Sequence, residues 1–371
     1  MDHGPRRGEA SLLIQRKKMG AEKTKGRRAM ASSKVSRNTS STRSPAAAGG
    51  TRALVARQRA IQRSQAARDR AAPAKKTKAR RPVQAGARRQ PERQTGEQLA
   101  KPGREQDLKL RPRFTAPGYV GSGKLAGMAA IVTGGDSGIG RAVAVLFARE
   151  GADVAIVYLS ETADAEETRA HVEAEGRRCV LIRGDVRRTA FCEKAVARTL
   201  KAFGRLDVLV NNAAFQMHAD RLEDLSDERI DLTLQTNIGG YMRMARAALP
   251  HLGEGASIIN NGSRTGLSGS AKLLDYSATK GAIHAFTKAL AQNVIGRGIR
   301  VNAVAPGPVW TPLNPADKPA AEVRRFGRET AFGRPAQPEE LAPAFVFLAA
   351  PVCASYITGI VLPVTGDVGA I

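Results

Sequence analysis

A tyrosine and a lysine four residues apart, in Tyr276-Ser277-Ala278-Thr279-Lys280, carry the most specific chemistry in the chain. On a helix this spacing puts both side chains on one face. An unperturbed phenol titrates near about 10, so acid/base work at neutral pH needs a neighbouring positive charge such as Lys280. Taken alone, the pair would be ordinary surface residues. Ser263, at the end of an apolar run upstream, adds a hydroxyl able to steady a reacting oxygen. A second constellation, Thr133-Gly134-Gly135-Asp136-Ser137-Gly138-Ile139-Gly140, follows another apolar run and leads into RAVAVLFARE. Glycines there let the backbone turn tightly and approach a pyrophosphate, whose charge meets free N–H groups at a helix N-terminus.

Elements with a definite order must position these groups. From about Gly127, apolar runs alternate with longer amphipathic stretches, the pattern of a parallel sheet covered by helices on both faces. The expected fold class is α/β, a doubly wound Rossmann fold with a seven-stranded parallel sheet. Its strands are expected at 129–133, 153–158, 179–184, 207–212, 256–261, 299–304 and 359–364. Ser226 is placed to cap a helix with Asp227 and Glu228 in its first turn, and Pro250 marks that helix's end. The site is expected in the loops at the carboxyl ends of the strands.

Cofactor choice is read after the second strand, where an acidic side chain would bind a ribose 2′-hydroxyl and repel a 2′-phosphate. Tyr158 stands there, followed by Leu159 and Ser160, and Ser137 occupies a place where a base could have helped. Nothing in these positions repels a phosphate and nothing clamps one, so the reading leans to NADP over NAD. Asp185, after the third strand, suits either an adenine amino group or a strand-end turn. Gly118-Tyr119-Val120-Gly121-Ser122-Gly123-Lys124 has the spacing of a phosphate-binding P-loop, but Leu125 replaces the Mg²⁺-binding hydroxyl and no strand precedes it. It is a decoy.

Composition separates this domain from what precedes it. Residues 1–113 hold 31 Lys and Arg against 8 Asp and Glu, a net +23, whereas residues 114–371 hold 28 against 26. No aromatic ring of Phe, Tyr or Trp occurs before Phe114. Such like charge, with so little to bury, does not offset the entropy of ordering a backbone. The expectation is a disordered basic tail over 1–100, an extended lead-in over 101–126 and one catalytic domain over 127–371. Cys179, Cys192 and Cys353 are odd in number and widely spaced, which argues against a disulfide framework or a zinc knuckle and for a reducing, cytoplasmic setting. Organellar import stays open, because the tail is rich in Arg and Ser and poor in acids. No apolar run approaches the length of a membrane span.

From about Gly121 to Thr365 the chain resembles the classical short-chain dehydrogenase/reductase family. The resemblance rests on the glycine turn, Asn211-Asn212-Ala213-Ala214, Asn237, Ser263, Tyr276 with Lys280, and Pro306-Gly307-Pro308-Val309-Trp310-Thr311. The lead-in from Lys101-Pro102-Gly103 to Leu125 looks like that of a bacterial glucose-dehydrogenase-like or general-stress oxidoreductase subgroup. What it implies is hydride transfer between a nicotinamide and a small alcohol, aldehyde or ketone, sugar-like substrates included, with Tyr276 exchanging the oxygen's proton. Ser263 would steady that oxygen. Lys280 would hold the ribose and lower the phenol's pKa, and Asn237 would anchor a water linking Lys280 to solvent. Gly134, Gly138, Ile139 and Gly140 would cradle the pyrophosphate, with Asp136 and Ser137 in the same turn. Asn212 and Ala213 would line the cofactor, as would Val186 beside Asp185; Pro306, Gly307, Val309 and Thr311 would lie near its carboxamide. Family members usually form dimers or tetramers. Ala214 in place of a glycine, and Val364-Thr365-Gly366-Asp367 in place of a Gly-Gly ending, depart from the commonest pattern without removing a reacting group.

A rival reading comes from the tail. Its charge could displace phosphate counterions and make the protein nucleic-acid-associated, with the folded domain as a redox-sensing or structural body. Without aromatic stacking residues such binding would be salt-sensitive and indifferent to sequence. Nonspecific contact with polyanions explains the same charge equally well. Residues 311–330, with three prolines, Phe326 and several charges, are expected to form a substrate loop that orders on binding.

Overall fold

The computed structural model describes residues 50–71 and 82–369, and the remaining parts of the expected tail lie outside the described residues. Seven strands form one parallel sheet in the order β3-β2-β1-β4-β5-β6-β7. They are β1 (Ala129–Thr133), β2 (Asp153–Tyr158), β3 (Cys179–Arg183), β4 (Val208–Asn211), β5 (Ser257–Asn261), β6 (Arg300–Pro306) and β7 (Val361–Val364). Each coincides with an expected strand to within two residues at its ends. The helices are α1 (Thr51–Ala71), α2 (Gly138–Arg149), α3 (Thr162–Ala174), α4 (Thr189–Phe203), α5 (Asp227–Leu234) and α6 (Gly240–Ala248). They continue as α7 (Thr265–Ser268), α8 (Leu274–Val294), α9 (Ala320–Val323), α10 (Pro338–Ala349) and α11 (Pro351–Ala354).

Alternation along the strands explains why both faces are covered. In β1, Ala130 and Val132 join a core with α2 and α10, while Ala129 and Ile131 point to the opposite core with Leu209, Met244 and Val301. Successive side chains leave a strand on opposite faces, so continuous apolar runs require two helical layers. Ser226 caps α5 by accepting from the Arg229 amide at 3.3 Å, as its position predicts. The helical run toward Pro250 is interrupted by a π turn at Gln235–Gly239.

The tail departs from its expectation. Residues 51–71 are helical and 82–100 run as an extended strap, both held by the domain. Disorder was expected because the stretch has few large apolar residues, yet those few are placed well. Leu54 is buried with Phe215, Met217 and Leu232, and Ile61 packs against the same group. Polar side chains do the rest: Gln62 donates to the carbonyls of Leu99 and Ala316 and accepts from the Lys101 amide. Arg57 pairs with Glu228 and Arg68 with Asp224. Leu99 and Leu108 close over Trp310, Ala316 and Val323, and the Trp310 indole donates to the Leu110 carbonyl at 2.8 Å. The first part of the expected substrate loop therefore packs on the strap and the lead-in. Gly118–Lys124 wraps the Glu150 carboxylate instead of facing a phosphate, with the Ser122 and Lys124 amides donating to it at 3.0 and 2.9 Å.

One buried imidazole locks α1 to that loop. His218 Nε2 lies 2.7 Å from Asp69 of α1, and Nδ1 lies 2.9 Å from Asp317. Neutral imidazole has one N–H and can donate to only one carboxylate, whereas the cation donates to both. Burial alone would lower the His218 pKa, but Asp317 and then Asp69 outweigh it and raise the value. A raised histidine contributes stability that is complete below its ordinary value of about 6.5 and lost as pH climbs through the raised one. Amide exchange in 51–71, corrected for intrinsic rates, is expected to be slowest below that pH and to speed up as pH rises through the raised value. Protection that stays flat with pH would refute this anchoring role.

Candidate active site

The glycine turn sits where the strand order reverses between β1 and β4, the crevice in which open α/β sheets bind ligands. Gly138 has a φ of 52°, a left-handed conformation suited to glycine. A Cβ on Gly140 would lie 2.0 Å from the Gly134 carbonyl oxygen, so only glycine lets α2 start this close to β1. Asn212 braces the turn, its Nδ2 donating to the Thr133 and Gly134 carbonyls at 3.0 Å each. Thr133 Oγ1 accepts from the amides of Asn212 and Ala213 at 2.8 and 3.1 Å.

A buried charge cluster supports the turn from below. Arg141 is fully buried, donates through Nε and Nη2 to the Asp136 carbonyl, and pairs with Glu105 and Glu167 at 2.9 Å. Glu105, from the lead-in, accepts from the Gly138 amide at 2.6 Å and thereby occupies one donor of the helix N-terminus. Burial, opposed by Arg141, pushes its carboxyl up to about 7. Asp136 is pushed up to about 6, mainly by burial and further by Asp164.

Ser263 follows β5, and Tyr276 and Lys280 occupy the first two turns of α8, so strand end and helix start bring the three together. Ser263 Oγ accepts from the Thr265 amide and hydroxyl at 3.1 and 3.0 Å. Lys280 Nζ donates to the Asn261 carbonyl at 2.6 Å and lies 5.3 Å from the centre of the Tyr276 ring. Burial drives both groups toward neutrality. It lowers Lys280 to about 7 and raises the Tyr276 phenol, which a hydrogen bond with Ser263 pulls back in part. An amine buried this deeply carries only part of its charge near pH 7, which weakens its pull on the phenol. His284, behind Ser263, is lowered to about 4 by burial and by Lys280.

A cavity of about 890 Å³ joins the turn to these residues. Among the expected site residues, Gly134, Asp136, Ser137, Gly138 and Ile139 line it, as do Tyr158, Asp185, Val186, Asn212 and Ala213. Ser263, Tyr276, Lys280, Pro306, Gly307, Val309 and Thr311 line it as well. Two do not. Gly140 is packed against Gly134 and shapes the turn from behind. Asn237, in the π turn, spends its side chain on the Phe215 amide and carbonyl and on Thr279 Oγ1, at 2.8, 3.0 and 3.0 Å. Its side-chain amide therefore splints α8 to the segment after β4. Asp185 is held by Arg187 at 2.9 Å, so its carboxylate already has a partner.

Sequence reasoning missed the contribution of the N-terminal segments: Leu54 and Gln58 of α1, with Lys101, Pro102 and Gly103, also line the cavity. Lys101 donates to the Gln216 carbonyl, and burial lowers it to about 8 against the pull of Asp317. The Lys101-Pro102-Gly103 motif was visible as part of a lead-in. Its place at the cavity wall depends on contacts with distant segments.

A family model described as enoyl-(acyl carrier protein) reductase matches residues 134–368. The uncharacterized oxidoreductase YhdF of Bacillus subtilis (strain 168) is 51% identical over 265 residues, covering 71% of this chain and 91% of that protein. The glucose and ribitol dehydrogenase of Daucus carota is 47% identical over 276 residues, covering 72% of this chain and 94% of that protein. Among solved structures, a short chain dehydrogenase from Burkholderia cenocepacia J2315 in complex with NADP has a TM-score of 0.62 and 37% identity, covering 66% of this chain and 98% of that one.

The protonation state of the lysine is directly measurable. With the cavity free of ligand, the side-chain carbon resonance next to the Lys280 amine is expected to titrate with a midpoint of about 7. A midpoint above 9 would mean that burial does not govern this site.

Proposed function

Because the chain belongs to the short-chain dehydrogenase/reductase family, we propose that it is an NAD(P)(H)-dependent oxidoreductase of small alcohols, aldehydes or ketones, sugar-like ones among them, with Tyr276 as general acid/base. The observation that carries this reading is the convergence of Ser263, Tyr276 and Lys280 on the cavity that the glycine turn also lines. The names of its relatives are in keeping with it: one acts on glucose and ribitol and another was solved with NADP.

The residues fit such a cofactor. The first turn of α2 opens toward the cavity with glycines that keep side chains out of the way, and of the first-turn amides without intrahelical acceptors only that of Gly138 is taken by Glu105. A bound nicotinamide would supply the carbon that gives or takes hydride and, when oxidised, a positive ring. Burial raises the Tyr276 pKa, so the phenol holds its proton. In reduction it gives that proton to the carbonyl oxygen; in oxidation it first passes its own proton toward the Lys280 amine and then, as phenolate, takes one from the alcohol. Ser263 hydrogen-bonds the phenol, so an oxygen seated between the two accepts from both hydroxyls. Lys280, poised at about 7, stores or releases a proton beside the phenol at working pH. The main-chain Asn261 carbonyl fixes where its amine points.

NADP is the favoured form, since the β2 end holds Tyr158, Leu159 and Ser160 and no acidic residue replaces Tyr158 at the strand's last position. Assembly into dimers or tetramers and a cytoplasmic setting belong to the same proposal. The nucleic-acid reading draws less support, because α1 directs Arg57, Arg59 and Arg68 to the folded domain.

Tyr276→Phe removes the hydroxyl and little else. Turnover of a panel of small aldehydes and sugars, followed by NADPH or NADP absorbance, is expected to fall at least about 10³-fold, with cofactor affinity within about twofold of the parent. Full activity in the variant would refute the acid/base assignment.

A further inference from the structure

Beside the main cavity, a smaller recess of about 450 Å³ lies between α1 and the ends of β2 and β3. Arg52, Arg59 and Arg63 of α1 and Arg183 of β3 line it, with Ser160 and Glu161. Ser160 and Glu161 line the main cavity as well, so the two spaces adjoin just past Tyr158. Tyr158 and Arg183 are register partners in the sheet, which brings Arg183 to the strand end where an adenosine ribose is read. We propose that this recess holds the 2′-phosphate of NADP(H), and that the guanidiniums of α1 supply the clamp missing from the β2 loop. The proposal rests on the dinucleotide reading given above and extends it to specificity.

Helix geometry and charge both support it. Positions 52, 59 and 63 fall on one stripe of α1, while Leu54, Gln58 and Gln62 form the neighbouring stripe buried on the domain. Docking α1 by its apolar and amide face therefore turns the arginine stripe toward the recess. Other arginines of α1 are used structurally, Arg57 on Glu228 and Arg68 on Asp224. Among the described residues, the side chains of Arg52, Arg63 and Arg183 have no hydrogen-bond or ion-pair partner. Arg59 commits only its Nε, to the Lys101 carbonyl at 3.0 Å, and so ties the recess to the strap. The opposing charge is Glu161, whose carboxylate accepts from Ser160 Oγ at 2.9 Å. Four guanidiniums against one carboxylate leave the recess strongly positive, and planar guanidinium forks match phosphate oxygens.

The test measures affinities of the full chain for NADPH and NADH by fluorescence titration, in the parent, in R52A/R63A and in R183A. The expected result is a fall of at least tenfold in the NADPH-to-NADH affinity ratio for the double variant and a smaller fall for R183A. Lysines at 52 and 63 should restore part of the ratio, because charge returns without the fork. An unchanged ratio would overturn the proposal. So would equal weakening of both cofactors, which would make α1 a rim of the cavity and no more. Loss of affinity for a labelled DNA oligonucleotide with an intact ratio would assign the arginines to polyanion contact instead. If the parent binds neither cofactor, the dinucleotide reading itself fails, and that outcome differs from all the others.

Discussion

The side-chain amide of Asn212 holds the mouth of the sheet together. Where β1 and β4 meet, the order of the strands reverses and their connections diverge, leaving carbonyls at the crevice with no strand to satisfy them. Asn212 donates to two of these, on Thr133 and Gly134, and its own oxygen accepts from Asn261 Nδ2 at 2.7 Å. Asn261 in turn offers its main-chain carbonyl to Lys280. Glycine turn, β4 end, β5 end and catalytic helix are thus linked through two asparagines. A second bridge behind them runs from Asn211 to Asn260 and on to Thr287 of α8, at 3.0 and 2.9 Å. Such linked polar groups at the floor of a cavity fix the positions of reacting residues before any ligand arrives.

Burial then sets the protonation of what is fixed. Tyr276, Lys280 and His284 stand close together with few fixed charges near them, so each is driven toward its neutral form. The consequence is a phenol that holds its proton and an amine that titrates near working pH. Charge brought into the cavity would act strongly on both, because little solvent intervenes to screen it. Elsewhere the balance differs: Lys101, Asp317 and His218 form a buried group in which opposite charges outweigh burial at Asp317 and His218, while burial prevails at Lys101.

A second layer wraps this core. Lead-in residue Glu105 caps Gly138 and meets Arg141, and the strap from 82 onward docks along the loops that follow β6. Contacts such as the Val83 amide on the Phe332 carbonyl and Gln90 on Glu339 replace the apolar packing that the segment lacks. α1 lies against the cavity rim through Leu54 and Gln58. The wrapping explains how a basic, ring-free segment becomes ordered. Its backbone and amide groups find partners on a surface already folded, so it need not bury a core of its own.

Periodicity and motif spacing were enough to read the sheet, its seven strands, the capped helix at Ser226 and the Tyr276, Lys280 and Ser263 constellation. These are local properties: alternation along a strand and the pitch of a helix are written in consecutive residues. The glycine turn was legible for the same reason, since its conformation is decided within a few residues. The order of α1, the position of Lys101 at the cavity wall, the Glu105–Arg141 pair and the splinting of α8 by Asn237 were not legible. Each depends on a partner far away in the chain, and composition alone treats a segment as though that partner were absent. Net charge marked 1–113 as a tail, but only the tertiary structure decided which of its arginines are tied to the domain and which remain free to face the cavity's edge, because pairing is set by proximity in space and not by proximity in sequence.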